Sequence, residues 1–157
     1  MLGLKGSLAS IYDADHIQHR TLAEMAEAVN AVKVSGKPIG QGALTQRHLK
    51  WARALLSSAI TSACEDAGRS IGDIRCLSVC SSTGYLLPGL TAYVVKDLGL
   101  SREICRLDVV GMGCHAGLNA VHAAADWACC NPGELAIACG VEVCSAHYIW
   151  RDSAGSE

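Results

Sequence analysis

The stretch Leu107-Asp108-Val109-Val110-Gly111-Met112-Gly113-Cys114-His115-Ala116-Gly117-Leu118-Asn119-Ala120 holds the residue types best suited to chemistry. An apolar run stops at two glycines one residue apart, and a cysteine follows at once. If the run is a strand and the residues after it a helix, Cys114 stands on a sharp strand-to-helix turn, the layout of a nucleophile elbow. Gly111 and Gly113 permit the positive φ or close backbone approach that such a turn needs. A helix amino end offers free N–H groups and partial positive charge. A thiol there favours the thiolate, its reactive form. The same N–H groups could hold an oxyanion formed on a thioester carbonyl. A plainer reading is a tight loop followed by one more buried cysteine, and spacing alone leaves both open. His115 lies one step along the helix, about 100° round from Cys114. It reads as pocket lining or as part of the turn, not as a partner base. Asn119, five residues past the cysteine, falls on another face and reads as structural.

The elements needed to place Cys114 are legible nearby. Ile74 to Cys80 and Ile104 to Val110 are short apolar runs that read as strands. Glu134 to Val143 reads as a third buried strand. Cys114 to Cys130 reads as a helix rich in small residues, closed by Asn131-Pro132-Gly133. Pro88 is suited to open a helix that ends at Leu98-Gly99. From Thr45 to Ala67, apolar residues recur at three and four (Leu49, Ala52, Leu55, Leu56, Ala59, Ile60, Ala63), and Gly68 can stop the helix. Gly40-Gln41-Gly42 reads as loop. Thr21 and Glu24 form a capping box for an earlier helix running to about Lys33. The order helix, strand, helix, strand, helix, strand implies a largely parallel sheet with right-handed crossovers, covered by helices in one α/β domain over 1–157.

Composition narrows the function. The chain has 157 residues, half of them apolar, no phenylalanine and only 4% aromatics, so Ala, Val, Leu, Ile and Cys must build the core. Thirteen basic and fifteen acidic side chains give a net charge of −2, with no basic stripe to suit nucleic acid. No apolar run reaches the ~18 residues of a membrane span. The start lacks a secretory layout, and Leu2 stands where myristoylation needs glycine, so a cytoplasmic location is expected. Nine cysteines, an odd number, sit largely in apolar runs (Cys76, Cys80, Cys105, Cys139, Cys144) and without a CxxC pair. Buried, reduced thiols are expected, with no disulfide framework and no metal site. Asp13, Asp15, His16, His19 and Arg20 cluster near the start and read as a solvated segment.

The cysteine stretch resembles the nucleophile motif of chalcone-synthase-like enzymes, the type III polyketide synthases. Two further segments carry the resemblance, Cys80-Ser81-Ser82-Thr83-Gly84-Tyr85-Leu86-Leu87-Pro88-Gly89-Leu90 and Gly140-Val141-Glu142-Val143-Cys144-Ser145-Ala146-His147-Tyr148. It implies the amino-terminal half of a thiolase-like fold. It also implies an acyltransferase without a cofactor, in which Cys114 takes acyl groups from malonyl-CoA or another acyl-CoA and supports a decarboxylating Claisen condensation. A homodimer is implied as well. Members with phenylalanine after the cysteine differ here, where His115 stands. The resemblance further implies a catalytic His and Asn in a carboxy-terminal half that this chain does not contain. A contrasting reading is a non-catalytic interaction subunit that keeps the half-fold.

Overall fold

The computed structural model describes residues 40–147. The expected Thr21–Lys33 helix and the polar cluster near Asp13 lie outside them. Helix α1 spans Gln41–Asp66, strand β1 Ile74–Ser81, helix α2 Leu90–Asp97, strand β2 Cys105–Val110, helix α3 Ala116–Cys130 and strand β3 Leu135–Gly140. The strands form one parallel sheet in the order β2-β1-β3, with Cys80 opposite both Val109 and Gly140. The expected alternation and the parallel α/β sheet are borne out.

The sheet has two differently built faces. Leu77 and Val79 of β1 join Ala52, Leu56 and Ile60 of α1 and Val94 of α2 in the main core. Cys80 meets Ala116 and Ala120 of α3 in a smaller cluster, with Val109 against it. On that side the side chains are short, so α3 lies close to the sheet. Gly140 shows how close the packing is, because a methyl there would stand 2.8 Å from the Cys80 sulfur.

Helices α1 and α2 are tied to each other and to β2. Arg53 donates two hydrogen bonds, 2.7 and 2.5 Å, to the Asp97 carboxylate. That guanidinium holds the Asp97 carboxyl below its ordinary range. Asp108 of β2 accepts from the Thr91 N–H and hydroxyl in the first turn of α2. A methyl at Gly89 would collide with the same carboxylate.

Several expectations shift. Gly40-Gln41-Gly42 is not loop: α1 starts at Gln41, because the Gly40 carbonyl accepts from the Ala43 and Leu44 N–H groups. Helix α2 opens at Leu90, two residues past Pro88. Strand β3 ends at Gly140 and is half-buried, since it and β2 are the sheet's edges among the described residues. Cys144, expected to be buried in its apolar run, is exposed in a short turn after β3.

Gly140→Ala is expected to destabilise the chain by about 1–3 kcal/mol, the usual cost of overpacking. In a Cys80→Ala background the same substitution should cost clearly less, because the colliding sulfur is gone. Urea unfolding of the four proteins checks this, and equal costs in both backgrounds would contradict the proposed contact.

Candidate functional site

In open parallel sheets, binding sites form outside the carboxyl ends of the strands. Here three segments leave those ends together: 82–89 after β1, 111–115 after β2 and 141–147 after β3. Gly111 and Gly113 both adopt positive φ, 74° and 64°. The chain can thus reverse between β2 and α3 within five residues. Gly111 also admits the Tyr85 hydroxyl, which would lie 3.1 Å from a methyl at that position.

Cys114 sits in the middle of this reversal, exposed, in a single 3-10 turn over Gly113–His115. The α-helix itself starts at Ala116, two residues later than expected. The positive φ of Gly113 delays regular helix, and His115 takes the N-cap position. His115 lies at the turn, exposed, with Nδ1 2.7 Å from the Asn119 Nδ2. These two side chains engage each other, one helical turn apart. Asn119 is therefore a local partner of His115, in keeping with its structural reading.

Two hydroxyls brace the reversal. The Ser82 hydroxyl donates to the Gly113 carbonyl at 2.9 Å, and the Ser82 N–H donates to Glu142 Oε1 at 2.6 Å. The Val143 N–H donates to Thr83 Oγ1 at 3.1 Å. The segment after β1 is thus bonded to both its neighbours. Sequence reasoning did not assign Ser82, Thr83 or Glu142 to the site. The one local signal was Glu142, a carboxylate set between two valines just past an apolar strand.

The other thiols differ in setting. Burial pushes the Cys76 thiol up to about 11, with the Cys105 thiol beside it adding to the effect. Burial likewise pushes Cys139 up to about 12 and raises Cys64 and Cys80. Such groups stay protonated and poorly nucleophilic near neutrality. Of the four exposed cysteines, Cys129 and Cys130 close α3 and Cys144 follows β3. Cys114 alone precedes the amino end of a long helix. Among the described residues no group of three or more His, Cys, Asp or Glu could hold a metal ion. No described helix is long and apolar enough to cross a membrane.

Comparison with known proteins places this geometry. The family described as chalcone and stilbene synthases, N-terminal domain, matches residues 4–149. This chain belongs to that family. It is 39% identical over 139 residues to a 3,5-dihydroxyphenylacetyl-CoA synthase of Streptomyces toyocaensis, covering 88% of this chain and 35% of that protein. Among solved structures it resembles the C-terminal type III polyketide synthase domain of Steely1 from Dictyostelium. That match has a TM-score of 0.72 and 28% identity, over 87% of this chain and 38% of the other. PKS-I of the brown alga Ectocarpus siliculosus matches with a TM-score of 0.67 and 35% identity, over 70% of this chain and 29% of its own. The chain therefore spans about a third of the length of the curated relatives it matches. The fold is that of a type III polyketide synthase amino-terminal part, as the resemblance implied.

Proposed function

We propose that the chain is the nucleophile-bearing part of a type III polyketide synthase, with Cys114 as the acyl carrier. The observation that carries this reading is the exposed Cys114 on a glycine reversal before a long helix, braced by Ser82. In the first step the Cys114 thiolate attacks the carbonyl of an acyl-CoA. The carbon–sulfur bond to coenzyme A breaks, and coenzyme A leaves as its thiolate. Malonyl-CoA then loses carbon dioxide, and its enolate carbon attacks the Cys114 thioester. The new carbon–carbon bond gives a β-ketoacyl-CoA and frees the Cys114 thiolate. The N–H groups at the start of α3 would support the oxyanion of each attack. Gly111 and Gly113 shape the turn, and His115 lines it. The names of the Streptomyces and Amycolatopsis relatives favour 3,5-dihydroxyphenylacetyl-CoA as the final product. The reading also places the chain in the cytoplasm and calls for no bound cofactor.

Condensation in this family is expected to need a His and an Asn from a carboxy-terminal half. Losing one oxyanion donor typically costs roughly 10²–10³ in rate, and groups acting as a unit cost far more together. The 157-residue chain incubated with malonyl-CoA or another acyl-CoA should therefore self-acylate slowly at Cys114 and release no polyketide. Intact-mass spectrometry should show the adduct, lost in Cys114→Ala, and supplying the carboxy-terminal half should restore condensation. An adduct that persists in Cys114→Ala would overturn the assignment. Efficient product from this chain alone would overturn the need for a second half.

The outer face of α3 supports association. Leu118 and Val121 are 70% and 57% exposed on a helix whose opposite face is buried, and Leu87 in the segment after β1 is 99% exposed. Apolar surface of this kind marks contact with another protein surface. We expect a homodimer in the complete enzyme, and association of this chain in solution. Light scattering should report a dimer or larger species, and a clean monomer at high concentration would contradict this.

A further inference from the structure

Cys76 of β1 and Cys105 of β2 stand directly opposite each other in the sheet. Both side chains lie on the α3 side. Cys80 and Val109 pack there with Ala116 and Ala120, and strand alternation carries that face back to Cys76 and Cys105 in steps of two. The two thiols meet: a hydrogen bond between them adds to the upward push that burial gives Cys76. Neighbouring strands lie about 4.7–4.9 Å apart, within the roughly 4.4–6.8 Å Cα separation of disulfides. Cys80, on the same face, has Val109 and Gly140 opposite it and no thiol.

The pair differs in access. Cys76 is completely buried. Cys105, the first residue of β2, is half-buried and forms part of the wall of a cavity of about 370 Å³. Arg75, Glu103, Trp127, Asn131 and Glu134 complete the walls. Trp127 and Asn131 belong to the end of α3 and the turn after it, so the cavity lies on the side of the sheet that carries the Cys105 side chain. The Arg75 guanidinium and the Glu134 carboxylate are 3.7 Å apart. The space equals roughly twelve waters, and its walls carry both signs of charge. Such a cavity suits one half of a small disulfide that bears ammonium and carboxylate groups.

We propose that Cys105 is a modification site for low-molecular-weight disulfides and that Cys76 is its resolving thiol, the two closing a reversible disulfide between β1 and β2. The Cys105 thiolate attacks one sulfur of the small disulfide. That S–S bond breaks, and one small thiolate leaves. The Cys76 sulfur then attacks the Cys105 sulfur, the mixed S–S bond breaks, and the second small thiolate leaves with the Cys76 proton. Two protein thiols lose two electrons, and the small disulfide is reduced to two thiols. Burial makes Cys76 a poor nucleophile toward molecules in solution, but contact with the Cys105 sulfur offsets this. Excess small thiol runs both steps backward. The site is independent of the condensation reading, since Cys105 begins β2 and Cys114 follows its far end.

Oxidised glutathione is the probe, added to the folded 157-residue chain. Remaining thiols are then blocked with N-ethylmaleimide, and tryptic peptides are mapped without reduction. Trypsin isolates Cys105 in the peptide 103–106 and places Cys76 with Cys80 in the peptide 76–96. The two peptides should be joined through Cys76, which fragment ions distinguish from Cys80, and dithiothreitol should separate them. In Cys76→Ala, Cys105 should stop as the glutathione mixed disulfide. In Cys105→Ala, Cys76 should stay reduced, modified at least about tenfold less than Cys105 is in Cys76→Ala, because burial leaves it unreactive toward solution. Thermal melts show whether each variant is folded, and mapping of the parent chain needs neither. Unmodified Cys105, a Cys105 link to Cys80 or any other thiol, or glutathione on Cys76 in a folded Cys105→Ala chain would overturn the proposal. A mixed disulfide at Cys105 that never resolves in the parent chain would overturn the role of Cys76.

Discussion

The structure depends on the close approach of α3 to the sheet. Only small residues allow it: Ala116 and Ala120 on the helix, Cys80 and Gly140 on the strands beneath. A larger side chain in this layer would lift the helix, and Cys114 would move with its amino end. Packing interiors are dense enough that even one methylene is felt. The position of the thiol is therefore set by residues that do no chemistry themselves.

The same economy governs the reversal before α3. Two glycines with positive φ turn the chain, and the Ser82 hydroxyl fastens the Gly113 carbonyl. Ser82 and Thr83 also bond to Glu142 and the Val143 N–H. All three strand ends are thereby joined through the short segment after β1. That segment borders the candidate nucleophile.

Much of this was legible because it is local. The three strands announce themselves as apolar runs, and Gly111-Met112-Gly113-Cys114 is a turn signal of four consecutive residues. Errors arose where local signals mislead. Gly40 and Gly42 suggested loop, yet a carbonyl cap at Gly40 is enough to start α1 at Gln41. Cys144 follows an apolar run and was expected to be buried, but β3 ends four residues earlier and leaves it exposed. The braces from Ser82 and Thr83 span 31 and 60 residues and leave no periodic trace. His48 of α1 is fully buried in the inward row Leu44, His48, Ala52, Leu56, which apolar counting passes over because a histidine does not register as core.

The central claim is that this arrangement makes Cys114 the reactive thiol of the chain. Limiting iodoacetamide, followed by peptide mapping over a time course, tests it most directly against the eight other cysteines. The account predicts that Cys114 is alkylated first, ahead of the exposed Cys129, Cys130 and Cys144, and that prior incubation with acyl-CoA slows its labelling. First labelling at any other cysteine, or labelling of Cys114 that acyl-CoA does not slow, would contradict it.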